Sequence, residues 1–278
     1  MTVTHPTPFP ELNAVLSELV TSVQTILGKN FLAAYLQGSF AVGDFDQHSD
    51  VDFIIALERE LSEDQVQALQ QMHARVFRLD IKWAQCLEGS YFPKDILRSL
   101  SQRAVQLWYL DNGHQSLILD THCNTAVVRA VLLRDGIVLA GPAPAELIDP
   151  IPVNVLRQEI LDTMHTWGRQ VLANPDTINN RFYQGFAVFH YCRSLHAIHT
   201  GVVGSKRAAA EWAKANLDPS WAGLIDRAWD TRPNPSFSVC QPADPQDLKS
   251  TLEFIQYILK ASDQYAEASE KGREQSLN

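Results

Sequence analysis

Residues 36–55 read LQGSFAVGDFDQHSDVDFII, and this stretch decides how the rest of the chain is interpreted. A short apolar run ends at Gly38-Ser39, and ten residues then separate Ser39 from Asp50. Asp50 and Asp52 stand two positions apart at the start of a second apolar run. Side chains two apart on a strand share one face, with Cα atoms about 6.6 Å apart. The stretch therefore predicts two neighbouring carboxylates at a strand end, close to a glycine turn.

This combination suits a metal ion and a phosphate group. Two carboxylates so placed can hold one Mg²⁺ or bridge two ions about 3.5–4 Å apart, and Mg²⁺ in proteins usually also binds phosphate oxygens of the substrate. Gly38 has no Cβ, so a phosphate can approach the backbone there, and Ser39 adds a hydroxyl donor. A solvated strand end would explain Asp50 and Asp52 alone, and an ordinary turn would explain Gly38-Ser39 alone. The two features together favour a functional site.

A third acidic residue is predicted from residues 76–83, which alternate between apolar and charged. The apolar positions are Phe77, Leu79, Ile81 and Trp83, and the charged positions are Arg78, Asp80 and Lys82. Such alternation predicts a half-buried strand with Asp80 on its polar face. From there Asp80 would complete the metal coordination or take a proton from an attacking hydroxyl.

The two halves of the chain differ in their predicted secondary structure. Residues 1–150 alternate helix and strand, which predicts an α/β domain with a mixed sheet. Glycine and proline are frequent in residues 141–152, as is typical of a linker. Residues 151–278 carry helix-period segments and no strong strand candidate, which predicts an all-α helical bundle with a polar tail from about residue 263. The fold class expected is therefore α+β.

Composition excludes some classes of partner. The chain of 278 residues has 23 Lys+Arg and 32 Asp+Glu, a formal net charge of −9, which argues against binding to nucleic acid or an anionic membrane through positive charge. We find no run of about 18 apolar residues and no targeting signal. The four widely spaced cysteines indicate a reducing compartment, so a cytoplasmic protein is expected. We also expect it to be a monomer.

The pattern Gly38-Ser39 … Asp50-Val51-Asp52 resembles the signature of the nucleotidyltransferase superfamily that includes DNA polymerase beta. Further segments resemble the bacterial aminoglycoside adenylyltransferases that modify streptomycin and spectinomycin. These segments are residues 136–142 and 149–152, Cys192-Arg193, Thr200-Gly201, Ser205-Lys206 and Ala210-Glu211-Trp212-Ala213. The resemblance covers about residues 12–262. It implies a nucleotidyltransferase domain over residues 1–150 and a helical domain over residues 151–278.

The resemblance also implies roles for the residues of the first domain. Gly38 and Ser39 would hold the triphosphate of ATP, and Asp50 and Asp52 would bind Mg²⁺. Asp80 would stand where the family has a catalytic base, usually Glu. Because Asp is one methylene shorter than Glu, Asp80 would act as base or as a further metal ligand, and the sequence leaves both roles open.

For the helical domain, the resemblance implies that Arg193 and Lys206 contact the phosphates of ATP, the co-substrate. The reaction expected is transfer of AMP to a hydroxyl of a cationic aminoglycoside or aminocyclitol, with release of pyrophosphate. The streptomycin enzymes carry an acidic residue about ten positions before the helical arginine, where this chain has Tyr183. Two alternatives stay open: another acceptor, such as a protein hydroxyl, and a non-catalytic nucleotide-binding module.

Overall fold

The computed structural model describes residues 5–46, 49–230 and 240–276. It divides into two compact units, Met1–Ile151 and Pro152–Asn278. The first unit contains a six-stranded sheet with helices, and the second contains only helices among its described residues. The predicted α+β class, with a mixed-sheet nucleotidyltransferase fold followed by a helical bundle, is confirmed.

The first unit is built around one mixed sheet. Its strands are β1 (Phe31–Leu36), β2 (Val51–Leu57), β3 (Leu87–Pro93), β4 (Leu107–Leu110), β5 (Leu117–Asp120) and β6 (Ile137–Ala140). Its helices are α1 (Pro10–Leu27), α2 (Gly38–Val42), α3 (Glu63–Phe77), α4 (Lys94–Arg98), α5 (Ala126–Asp135) and α6 (Pro144–Leu147). The strand order is β5-β4-β3-β2-β1-β6; β2 and β3 are parallel, and every other neighbouring pair is antiparallel.

Alternate residues of β2 pack into two separate cores because side chains of a strand point to opposite faces. Phe53 and Ile55 belong to the core formed with α1 and α3. Ile54 and Ala56 belong to a second core, which contains residues of α4 and α5. This burial on both faces explains why β2 is an almost continuous apolar run, and it fixes the register that places Asp52 at the strand's start.

The strand predicted over residues 76–83 is wrong. Residues 76 and 77 end α3, which begins with a capping box at Ser62 and Gln65, and Lys82–Gln85 form a 3-10 helix. The alternation arises because irregular backbone between the two helices also turns Leu79 and Ile81 toward the core. The neighbours of β2 in the sheet are β1 and β3, and the sequence analysis did not predict β3.

The second unit contains α7 (Val153–Ala173), α8 (Arg181–Thr200), α9 (Lys206–Asn216), α10 (Ala222–Asp230) and α11 (Pro245–Ser276), with short 3-10 turns at Pro175–Ile178 and Pro219–Trp221. Buried hydrogen bonds tie the long helices together: Gln184 of α8 donates to the Thr251 hydroxyl of α11, and the Tyr191 hydroxyl donates to the Met164 carbonyl of α7. The helix α11 extends beyond the end expected from hydrophobic periodicity, since residues 264–276 are rich in helix-forming Ala, Glu, Lys and Gln.

Within the described part of the chain, no helix combines the length and the apolar character needed to cross a membrane.

Candidate active site

The turn after β1 lies directly against the first residues of β2. The backbone N–H of Gln37 donates to the carbonyl of Asp52 at 2.9 Å. Gly38 has φ of +65°, and a Cβ placed on it would lie 1.8 Å from Oδ2 of Asp52. Both the left-handed backbone and the missing side chain therefore require glycine, and they bring the turn into contact with the Asp52 carboxylate.

Ser39 follows in the first turn of α2. Its Oγ is buried and has no hydrogen-bond partner among the described residues, and the same holds for Oε1 of Gln37 just before the turn. A buried hydroxyl without a partner is costly, so unpaired groups of this kind point to a ligand that completes them. A phosphate oxygen would accept a hydrogen bond from the Ser39 hydroxyl.

Four aromatic side chains form a cluster around the residues that directly follow the turn. The Phe40 and Phe45 rings stack with centroids 4.9 Å apart, and both contact Phe9, which precedes α1. Trp83 packs edge-on against Phe40 at 5.3 Å. Because Trp83 is buried in this cluster, it supports the turn through its contact with Phe40.

Three carboxylates converge at the start of β2 and β3. One carboxylate oxygen from each of Asp50, Asp52 and Glu88 lies within 4.8 Å of the other two, and all three residues are partly buried. The parallel pairing of the strands explains the arrangement, since Asp52 stands opposite Glu88 in the register. Oxygen ligands at this spacing are those that Mg²⁺ prefers.

Asp80 is not a member of this cluster, which corrects the placement expected from the sequence. It lies in the bend between α3 and the following 3-10 helix, and its side chain is exposed. The third carboxylate is Glu88, which sequence analysis missed. A signal was present in the run Leu87–Pro93, where Glu88 and Ser90 alternate with Gly89 and Tyr91; the glycine at 89 is required, since a Cβ would lie 2.2 Å from the Phe53 carbonyl on β2.

The surroundings of Glu88 are polar on one side. The Tyr109 hydroxyl donates to Oε1 of Glu88 at 2.6 Å, and Nε2 of His122 lies 3.8 Å from the same oxygen. Cys123 is buried nearby, and burial, together with the charges of Glu88 and Asp52, raises the pKa of its thiol to about 12. Cys123 therefore stays protonated at neutral pH and is not suited to act as a nucleophile.

In the second unit, the structure brings the two predicted phosphate-binding cations to one end of α9. Nε of Arg193 on α8 donates to the carbonyl of Gly204 at 3.1 Å. Lys206 is exposed at the first position of α9, which is capped by Ser205. A lysine at the positive end of a helix dipole is unfavourable for the isolated helix, whereas the same place attracts an anion.

Known domain families match both parts of the chain. The model of the nucleotidyltransferase domain matches residues 16–104, and the model of the aminoglycoside adenylyltransferase C-terminal domain matches residues 146–260. The first match includes Gly38, Asp50, Asp52 and Glu88, so the carboxylate cluster lies inside the nucleotidyltransferase domain.

Individual relatives extend over most of the chain. An aminoglycoside (3'') (9) adenylyltransferase of Shigella flexneri is 23% identical over 257 residues, covering 89% of this chain and 94% of the relative. One of Escherichia coli is 24% identical over 224 residues, covering 77% and 82%. The solved structure of a spectinomycin adenyltransferase from Enterococcus faecialis with ATP and spectinomycin shares the fold, with a TM-score of 0.68 at 14% identity, covering 89% of this chain and 98% of that one.

Fold, carboxylate cluster and domain matches together define the class: the protein is an enzyme of the nucleotidyltransferase type. Within that class it is aminoglycoside adenylyltransferase-like, as the match of its helical half and the relatives of similar length demonstrate.

Proposed function

We propose that this enzyme transfers AMP from ATP to a hydroxyl group of an aminocyclitol or aminoglycoside and releases pyrophosphate. The observation that carries the proposal is the group of Asp50, Asp52 and Glu88 against the Gly38-Ser39 turn. Carboxylates beside a turn with an unpaired buried hydroxyl are suited to metal-assisted phosphoryl-type transfer.

The residues present fit a bound Mg²⁺. Three partly buried carboxylates lie within 4.8 Å of one another, and Gly38 leaves the space into which the Asp52 carboxylate packs, a space that any Cβ at position 38 would fill. Asp50 and Asp52 would be the principal ligands. When bound, the ion would offset the charge of the triphosphate and of the leaving pyrophosphate.

The chain's own residues supply the remaining functions. The Gly38-Ser39 turn would bind phosphate oxygens through backbone N–H groups and the unpaired Ser39 hydroxyl. Glu88 would accept the proton of the acceptor hydroxyl as that oxygen bonds to the α-phosphorus of ATP. The bond from the α-phosphorus to the bridging oxygen breaks, and its electron pair leaves with pyrophosphate. We therefore assign to Glu88 the role that the resemblance gave to Asp80.

Arg193 and Lys206 are proposed to contact the phosphates of ATP. Their common place at the N-terminal end of α9 supports this role, because the helix end and two cations all favour an anion. Lys206 also forms no salt bridge with a carboxylate among the described residues.

Lys206→Ala is expected to weaken ATP binding about tenfold, which corresponds to the binding free energy of one charge-assisted hydrogen bond. Arg193→Ala should act in the same direction and more strongly, since it also removes the hydrogen bond to Gly204. Calorimetric titration with a non-hydrolysable ATP analogue measures both. Lys214→Ala is the matched control on α9, since Lys214 pairs with Asp226 and Glu211. An unchanged affinity in both test variants would reject the phosphate contact.

The acceptor is proposed to be an aminocyclitol such as spectinomycin in preference to streptomycin. Tyr183 occupies the position at which the resemblance expects an acidic residue, and it is 41% exposed. Its neighbour on α8, Phe186, is 38% exposed, with ring centroids 6.4 Å apart. An aromatic surface of this kind packs against the apolar faces of a ring and offers no carboxylate to a strongly cationic drug.

The function is tested by measuring pyrophosphate release from ATP and Mg²⁺ with a panel that contains spectinomycin, streptomycin and other aminoglycosides. We expect release with spectinomycin, with an adenylylated product visible by mass spectrometry. Release with streptomycin alone would contradict the acceptor assignment. ATP binding without release for any drug would favour one of the alternatives, a different acceptor or a non-catalytic nucleotide-binding module.

A further inference from the structure

We propose that Tyr109 is a positioning residue: its hydroxyl group fixes the Glu88 carboxylate in the orientation that the metal site and proton transfer need. This inference rests on the proposed function of the carboxylate cluster. It adds a residue from β4 that neither the sequence pattern nor the domain matches assign.

The sheet register brings the two side chains to the same face. Tyr109 on β4 stands opposite Ser90 on β3, and Glu88 lies two residues before Ser90. Residues two apart share a face, so Glu88, Ser90 and Tyr109 all project to one side of the sheet. Because Asp52 stands opposite Glu88 in the parallel register, it projects to that side as well.

The hydroxyl of Tyr109 has two carboxylates within reach but only one proton. Oε1 of Glu88 lies at 2.6 Å, and Oδ1 of Asp111 lies at 3.2 Å. The shorter distance is typical of a charge-assisted O–H···O⁻ bond, so the proton is donated to Glu88. Asp111 has other partners, namely the backbone N–H of Asn112 and the ring of His114.

Burial makes this donor a permanent one. Tyr109 is 5% exposed, and the Glu88 side chain is 17% exposed. A phenol keeps its proton at neutral pH, so this buried hydroxyl is available as a donor. His122 cannot replace it, since its Nε2 lies 3.8 Å from Oε1, beyond hydrogen-bond distance, and its side chain is 64% exposed.

The hydrogen bond has a clear consequence for the cluster. Glu88 has three rotatable side-chain bonds, and its carboxylate must meet those of Asp50 and Asp52 within a few ångströms. A donor fixed by the sheet restricts the rotation of the carboxylate at one oxygen. Residues that orient metal ligands in this way change metal affinity or activity about 10- to 100-fold when they are removed.

The test is Tyr109→Phe, which keeps the ring and removes only the hydroxyl. We expect Mn²⁺ binding, measured by electron paramagnetic resonance with a non-hydrolysable ATP analogue present, to weaken about tenfold. The kcat should fall by about the same factor while the KM for ATP changes less than about twofold. Tyr35→Phe is the matched control: Tyr35 lies on the same sheet and donates to the carbonyl of Pro142, not to a carboxylate.

Three outcomes would overturn the proposal. These are wild-type Mn²⁺ affinity in Tyr109→Phe, an equal loss in Tyr35→Phe, and an undiminished effect of Tyr109→Phe in a Glu88→Gln background, where the carboxylate is already gone. The proposed function fails separately, if the wild type binds Mn²⁺ but transfers AMP to no acceptor. In that case the Mn²⁺ measurement still decides whether Tyr109 orients Glu88.

Discussion

Asp52→Asn is expected to reduce AMP transfer about a thousandfold, the rate equivalent of about 4 kcal/mol of lost transition-state stabilisation. The amide keeps the shape of the side chain but removes the charge on the residue that lies between the Gly38 turn and Glu88. Asp50→Asn should act in the same direction. Steady-state pyrophosphate release with saturating ATP and acceptor measures the loss.

A fall in activity has this meaning only if the fold is unchanged. Asp95→Asn is the matched control, because Asp95 is an exposed carboxylate of the same unit and lies outside the cluster. We expect it to retain activity within about twofold, as surface substitutions usually do. Thermal unfolding of all three variants should stay close to that of the wild type. Near-normal turnover in Asp52→Asn would refute the metal site.

The second large effect separates Glu88 from Asp80. Glu88→Gln is expected to lower kcat about 10²- to 10⁴-fold, since it removes a group placed to accept the acceptor's proton. Asp80→Asn should change kcat less than about twofold, because the exposed Asp80 lies outside the cluster. Mn²⁺ binding to the Glu88→Gln protein then tests whether Glu88 also contacts the metal, and we expect it to weaken, in line with the effect expected for Tyr109→Phe.

The reverse result would restore the role that the sequence first suggested. If Asp80→Asn abolished transfer and Glu88→Gln retained it, the carboxylate cluster would not be the reacting centre. The two variants therefore form a pair in which each serves as the control of the other.

Local patterns in the sequence were sufficient for part of the fold and part of the site. The helix-period spacing of apolar residues over 11–27 predicts α1, and the two apolar runs on either side of Gly38 and Asp50 predict β1 and β2. These predictions are confirmed because helix period, strand burial and turn chemistry are properties of neighbouring residues. The alternation around Asp80 is also a local pattern, and it predicted a strand that the structure does not contain.

The sequence by itself determined that two aspartates and a glycine turn belong to the site, and that the chain divides into a sheet-containing half and a helical half. Each of these features depends on residues that are adjacent in the sequence. Only the tertiary structure decided that Glu88 is the third carboxylate and that Tyr109 donates to it. Asp52 and Glu88 are 36 positions apart and meet through a parallel strand pair, while Tyr109 comes from the next strand. Register between such strands depends on packing against α1, α3 and the opposite core, which no single stretch of sequence records.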